Sequence, residues 1–139
     1  MKHVLVVDDE PYVREAVRRV LEHGGANVEE AVDAKAALAR LAGTPVDLVI
    51  VDIIMPGMDG VQFIRTLRER QPDARIVAIS GGGNFELGGY KPEAISTQAY
   101  LAAAATAGAD AVLAKPFEIA EFEAVVGPLL AGIEPQPAA

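Results

Sequence analysis

The run from Val46 to Ile54 is rich in branched apolar side chains and carries a carboxylate near its end, Asp52. A strand of that composition is buried on both faces, which places it in a parallel sheet covered by helices on either side. Burying a charge is costly unless the charge is paired or used, so Asp52 has a partner or a task. Pro56-Gly57 follows as a turn signal. Asp59-Gly60-Val61-Gln62 then fits a helix start, with Asp59 as cap and Gln62 reaching back. Asp52 therefore belongs at the C-terminal edge of a strand, the edge at which open α/β sheets bind ligands.

The flanking segments repeat one theme. Val4 to Val7 reads as a strand ending at Asp8-Asp9-Glu10, and Pro11 opens a helix that buries Val13, Ala16, Val17, Val20 and Leu21 while Arg14, Glu15, Arg18, Arg19 and Glu22 face water. Gly24-Gly25 ends that helix. Asn27 to Ala31 is a second strand, and Asp33 caps a helix with Ala34, Ala37, Leu38 and Leu41 on one face. After the central run come a helix over about 60–71 burying Ile64 and Leu67, and a strand from Ile76 to Ile79 ended by Ser80. A glycine-rich segment leads to a long helix ending near Gly108. Then follow a strand from Ala111 to Ala114, Lys115-Pro116, and a last helix with Ile119, Phe122, Val125 and Val126 inward. Gly127-Pro128 is expected to interrupt it, since proline lacks the amide donor its turn needs.

Five strands alternating with five helices predict an α/β fold: a flavodoxin-like, doubly wound five-stranded parallel sheet, order 2-1-3-4-5, with helices on both faces. At 139 residues one domain is expected, 1–131, followed by a flexible tail, 132–139. The absence of cysteine excludes disulfides and thiolate metal sites. Met1-Lys2-His3 runs straight into a strand, with no signal peptide and no apolar stretch long enough for a bilayer, so a cytoplasmic protein with no membrane partner is expected. Acidic residues outnumber basic ones 20 to 12, which disfavours direct binding of nucleic acid. His3 and His23 suit a strand start and a helix end and need no further role.

In the expected topology the C-terminal ends of four strands meet on one edge. They deliver Asp8 and Asp9, Asp52, Ser80 and Lys115. Converging carboxylates repel, so a cation is expected among them, and all-oxygen ligands favour Mg²⁺. With a lysine and a hydroxyl opposite, these are the parts for moving a phosphoryl group onto a carboxylate. Singly each residue has an ordinary explanation, as helix-dipole partner, turn residue or surface lysine.

The chain resembles the receiver domains of bacterial two-component response regulators over almost its whole length. The matching residues are Val-Asp-Asp-Glu at 7–10, Asp-Ile-Ile-Met-Pro-Gly-Met-Asp-Gly at 52–60, Ser-Gly at 80–81, and Gly-Ala-Asp with Lys-Pro-Phe between 108 and 117. The resemblance implies that Asp52 accepts a phosphoryl group from a phosphohistidine on a sensor histidine kinase or histidine phosphotransfer protein. It implies that Mg²⁺ is held by Asp9, Asp52 and the backbone carbonyl of Ile54, with Asp8 acting largely through water. Lys115 would contact the phosphoryl oxygens, and Ser80 would swing toward them and alter the surface of helix four, strand five and helix five, where a downstream protein docks. A stand-alone phospho-switch rather than an enzyme is the expectation.

Two features depart from the family. Val112 stands three residues before the lysine, where an aromatic ring is common. The segment 81–91, with five glycines, is an insertion between strand four and helix four; it reads equally as a mobile lid or as a plain extension. Apolar Ile54, two residues after Asp52, offers no hydrogen bond to a hydrolytic water, so slow self-dephosphorylation is expected. Two other functions stay open. A Mg²⁺-dependent phosphatase like the haloacid dehalogenases would want an aspartate where Ile54 stands, and a phosphorylation-independent scaffold would not need the ionic set.

Overall fold

A computed structural model describes residues 2–53, 60–80, 102–115 and 117–132. The elements in chain order are β1 (His3–Val7), α1 (Pro11–His23), β2 (Asn27–Ala31), α2 (Ala34–Leu41), β3 (Leu48–Asp52), α3 (Gly60–Arg70) and β4 (Arg75–Ser80). They continue with α4, described over residues 102–107, then β5 (Ala111–Ala114) and α5 (Ile119–Leu130). The five strands form one sheet in the order β2-β1-β3-β4-β5, and every pairing is parallel. This is the predicted flavodoxin-like arrangement.

Strand alternation divides the interior into two layers. Leu5, Val7, Val49, Val51, Ile76 and Ala78 face Ala34, Ala37 and Leu41 of α2, Phe63, Ile64 and Leu67 of α3, and Ala104 of α4. Val4, Val6, Leu48, Ile50, Val77, Ile79 and Leu113 face Val17 and Leu21 of α1 and Phe122, Val126 and Leu129 of α5. All five residues of β3 are buried, because it has a strand on each side and a helical layer on each face. That explains its unbroken apolar run.

The helix boundaries follow local chemistry. Pro11 opens α1, where its missing amide is harmless, and Asp33 caps α2 by accepting from the amide of Ala36 at 2.8 Å. Beyond α1, Gly25 adopts φ +95°, a conformation other residues resist. At the end of the sheet where β4 begins, Arg68 donates to the carbonyls of Pro72 and Ala74 at 2.7 Å each and of Gly108 at 2.6 Å. It also pairs with Asp110 at 2.9 Å, tying α3 to the entry of β5.

Several expectations need correction. Pro128 does not interrupt the last helix: α5 continues to Leu130, because buried Leu129 draws the final turn onto the core. Ile119 is not inward but 61% exposed, since it opens α5 before the helix meets the sheet. Ala16 is exposed as well, and Arg14, expected in water, folds over the sheet edge with 14% side-chain exposure. The Asp59 cap, the segment 81–91, Pro116 and residues 133–139 lie outside the described residues. No described helix is long and apolar enough to cross a membrane.

Gly60 starts α3 directly against the end of β3. A Cβ built there would lie 2.3 Å from Cα and 2.7 Å from the carbonyl oxygen of Ile53, the residue after Asp52. Backbone cannot yield as a side chain can, so Gly60→Ala is expected to cost about 3 kcal/mol of stability. Urea unfolding measures this, and a change under about 0.5 kcal/mol, the scatter of neutral surface substitutions, would contradict the packing described.

Candidate functional site

The alternation that faces Val4 and Val6, Ile50, and Leu113 toward α1 and α5 carries on to the strand ends, where it places Asp8, Asp52 and Lys115 on the same side of the sheet. Val7 is in register with Val51, so Asp8 and Asp52 leave adjacent strands side by side. The amide of Lys115 donates to the carbonyl of Ser80 at 2.8 Å, continuing the β4–β5 ladder by one residue. Its side chain then spans the sheet end.

The ammonium of Lys115 lies 3.1 Å from Asp8 Oδ2, 2.9 Å from Glu10 Oε1 and 3.1 Å from Asp52 Oδ2. Side-chain exposure is 6% for Lys115, 2% for Asp8 and 7% for Asp52, against 38% for Glu10. The Asp8 carboxylate is oriented by the amide of Glu10, which donates to its Oδ1 at 2.8 Å. From α1, Arg14 donates to the carbonyl of Asp8 at 2.7 Å and to Glu30 Oε1 on β2 at 2.9 Å, bracing the loop between β1 and α1.

Charge dominates this arrangement. Three carboxylates around one ammonium leave two uncompensated negative charges if all are ionised. Burial pushes the Asp8 carboxyl up from its usual range, and neither the Glu10 amide nor Lys115 fully offsets it. Burial alone would pull Lys115 down, but Asp52, Glu10 and Asp8 outweigh it and hold the amine well above its usual value, so it stays charged.

One carboxylate oxygen each from Asp8, Glu10 and Asp52 lies within 4.8 Å of the others. Asp8 Oδ2 is buried and, among the described residues, receives no hydrogen bond; the ammonium touches it only as an ion pair. Hard oxygen donors carrying an excess of two negative charges suit Mg²⁺ or another hard divalent cation. The residues present therefore fit such an ion.

Of the residues singled out from sequence, Asp8, Asp52 and Lys115 come together as expected. Asp9 does not join them: it is exposed, because the two-residue alternation of the strand end turns Asp8 and Glu10 inward and Asp9 out. Ser80 is fully buried at the end of β4, but its parity is that of Ile76 and Ala78, on the α2–α4 face, and its Oγ has no hydrogen-bond partner among the described residues. Ile54 lies outside the described residues. Sequence reasoning assigned no role to Glu10 or Arg14. Glu10 stood two residues from Asp8 with matching parity, and Arg14 follows one helical turn later, so spacing held a signal for both.

The family model of the response regulator receiver domain matches residues 4–89. The chain belongs to this family, the receiver domains of two-component systems. Response regulator MprA of Mycobacterium tuberculosis is 35% identical over 136 residues, which cover 98% of this chain and 54% of that protein. The chain thus spans about half the length of the curated relatives it matches. Among solved structures, the receiver domain of NtrX from Brucella abortus is similar at 30% identity with a TM-score of 0.75, covering 92% of this chain and 98% of that one. A response regulator from Burkholderia pseudomallei, solved with a phosphorylated aspartic acid, calcium ion and citrate, is similar at 27% identity with a TM-score of 0.72, covering 94% and 66%.

Because Asp8 adds a buried charge to an already negative cluster, Asp8→Asn is expected to stabilise the cation-free protein by about 1 kcal/mol near neutral pH. A carboxyl pKa raised in the folded state means that the cost of ionising Asp8 is absent well below its ordinary 3.8 and is fully present above the raised value. The advantage of the variant should grow across that window. Saturating Mg²⁺, at ten times its dissociation constant, should raise wild-type stability by about 1.4 kcal/mol and the variant's by less. Thermal unfolding against pH and Mg²⁺ measures both, and a variant less stable than wild type without Mg²⁺ would contradict the charge reading.

Proposed function

We propose that this receiver is a phosphoacceptor switch: Asp52 takes a phosphoryl group from a phosphohistidine of a sensor histidine kinase or histidine phosphotransfer protein, and the altered surface is read by a downstream protein. The observation that carries this is the nearly buried Asp52 carboxylate held 3.1 Å from a Lys115 ammonium that also meets Asp8 and Glu10. An enclosed nucleophile beside a fixed cation is what transfer of a charged phosphoryl group requires.

Asp8 and Asp52 would hold Mg²⁺ with Glu10 beside them, and the family resemblance implies the Ile54 carbonyl and Asp9 as well, the latter by turning in from the solvent-facing position it holds here. When bound, the ion supplies charge neutralisation to the phosphoryl oxygens. An Asp52 oxygen attacks phosphorus in line with the leaving nitrogen of the donor. Lys115 receives a phosphoryl oxygen, its position fixed by the backbone bond to Ser80. The Ser80 hydroxyl, without a hydrogen-bond partner among the described residues, could donate to the same group by turning from the α2–α4 face of the sheet. Exposed Val112 on β5 belongs to the surface formed by α4, β5 and α5, which we assign to the downstream partner. The net charge of −8 favours protein over nucleic acid as that partner, and a cytoplasmic location accords with this role.

Incubation with Mg²⁺ and phosphoramidate should give a single phosphoryl adduct by intact mass, absent from Asp52→Asn. An adduct that persists in the variant would sink the assignment of Asp52. Sustained phosphate release from small esters would establish the phosphatase instead.

A further inference from the structure

Glu10 occupies an unusual position for a helix-capping residue. Its carbonyl accepts from the amide of Arg14 at 3.2 Å, so its backbone is held by the first turn of α1. Its side chain makes no capping hydrogen bond. The Glu10 carboxylate instead accepts from Lys115 at 2.9 Å, 105 residues away in sequence.

Three carboxylate oxygens crowd the Lys115 ammonium within 3.1 Å: those of Glu10 and Asp52 accept hydrogen bonds from it, and that of Asp8 meets it as an ion pair. A phosphoryl group arriving on Asp52 needs one of those places. Asp8 cannot easily give way, being buried and anchored through the Glu10 amide, and Asp52 is itself the acceptor. Glu10 is the half-exposed member, on a side chain with three rotatable bonds and water within reach. Charge points the same way. With a divalent cation present the cluster of three carboxylates and Lys115 is neutral, and exchanging the Asp52 carboxylate for a dianionic acyl phosphate adds one negative charge that releasing Glu10 to solvent relieves.

We propose that Glu10 is a displaceable counter-anion for Lys115: it holds the ammonium over the site before phosphorylation and must yield it to the phosphoryl group, so it sets how readily Asp52 is modified. Glu10 is in this sense a positioning residue acting through Lys115, and its role rests on the phosphoacceptor reading above. In the step itself an Asp52 oxygen forms the new O–P bond while the donor's P–N bond breaks, its electron pair leaving with the nitrogen. The Glu10 carboxylate exchanges Lys115 for water without gaining or losing a proton.

Two variants of the full chain test this, Glu10→Gln and Glu10→Ala, with amide NMR spectra confirming the fold. Mg²⁺ is titrated first by itself, and beryllofluoride then at saturating Mg²⁺. Removing one part-exposed ionic competitor is expected to tighten beryllofluoride binding roughly fivefold in both variants. Because Glu10 is one of the three acids facing the place of the cation, the Mg²⁺ dissociation constant should rise by up to about fivefold, the range of an exposed charge contact, while beryllofluoride binding tightens. The rate of modification by phosphoramidate should rise in parallel with beryllofluoride affinity. Unchanged beryllofluoride affinity overturns the inference and leaves the phosphoacceptor reading standing. Joint weakening of Mg²⁺ and beryllofluoride also overturns it, by showing Glu10 to be a cation ligand. Failure of wild-type protein to bind beryllofluoride at any Mg²⁺ concentration overturns both readings together.

Discussion

The ammonium of Lys115 draws side chains from distant parts of the chain into one site at the sheet edge. It joins Asp52, 63 residues away, and Glu10, 105 residues away, across strands β1, β3 and β5. A buried ammonium among buried carboxylates is not an economical way to stabilise a protein, because desolvation opposes the Coulomb attraction and one positive charge cannot neutralise three negative ones. An arrangement of this kind persists because the rest of the molecule over-determines it. The two apolar layers hold the strands, and the strands leave the ionic side chains no other direction.

The sheet supplies the rigidity. β3 is flanked by strands and covered by helices, so the backbone beneath Asp52 has little freedom. Gly60 packs against the residue that follows Asp52, bringing the start of α3 close to the site without a side chain between them. Arg14 performs a comparable task on the other side, tying the carbonyl of Asp8 to Glu30 on β2. The group with freedom to move is Glu10, whose backbone is fixed by α1 while its carboxylate reaches past solvent to Lys115. A rigid frame with one adjustable anion is a workable design for a site that must accept a large charged group and later release it.

How far the sequence could be read depended on the range of the forces involved. The apolar run ending at Asp52 announced a doubly covered central strand, and β1, β2 and β5 fell close to their expected bounds because short-range periodicity defines them. Pro128 was misread because its local penalty was weighed without the tertiary contact of Leu129 that keeps α5 intact. Arg14 looked like a solvent residue on the helical wheel, yet the loop over which α1 begins gives it a carbonyl and a carboxylate to bind. Asp9 was singled out and Glu10 passed over for a similar reason: adjacent acids look equivalent in sequence, whereas a strand end turns alternate residues in opposite directions.

Sequence alone determined the alternation of strands and helices, the sheet order, and the identity of Asp8, Asp52 and Lys115 as strand-end residues, since these follow from side-chain periodicity and from the rules for connecting parallel strands. Tertiary structure alone decided which acids share the ammonium, that Glu10 is among them while Asp9 faces water, and that Ser80 lies on the opposite parity without a described partner. The physical reason is that electrostatic pairing depends on distances and burial across elements far apart in the chain, which appear only when the sheet is assembled.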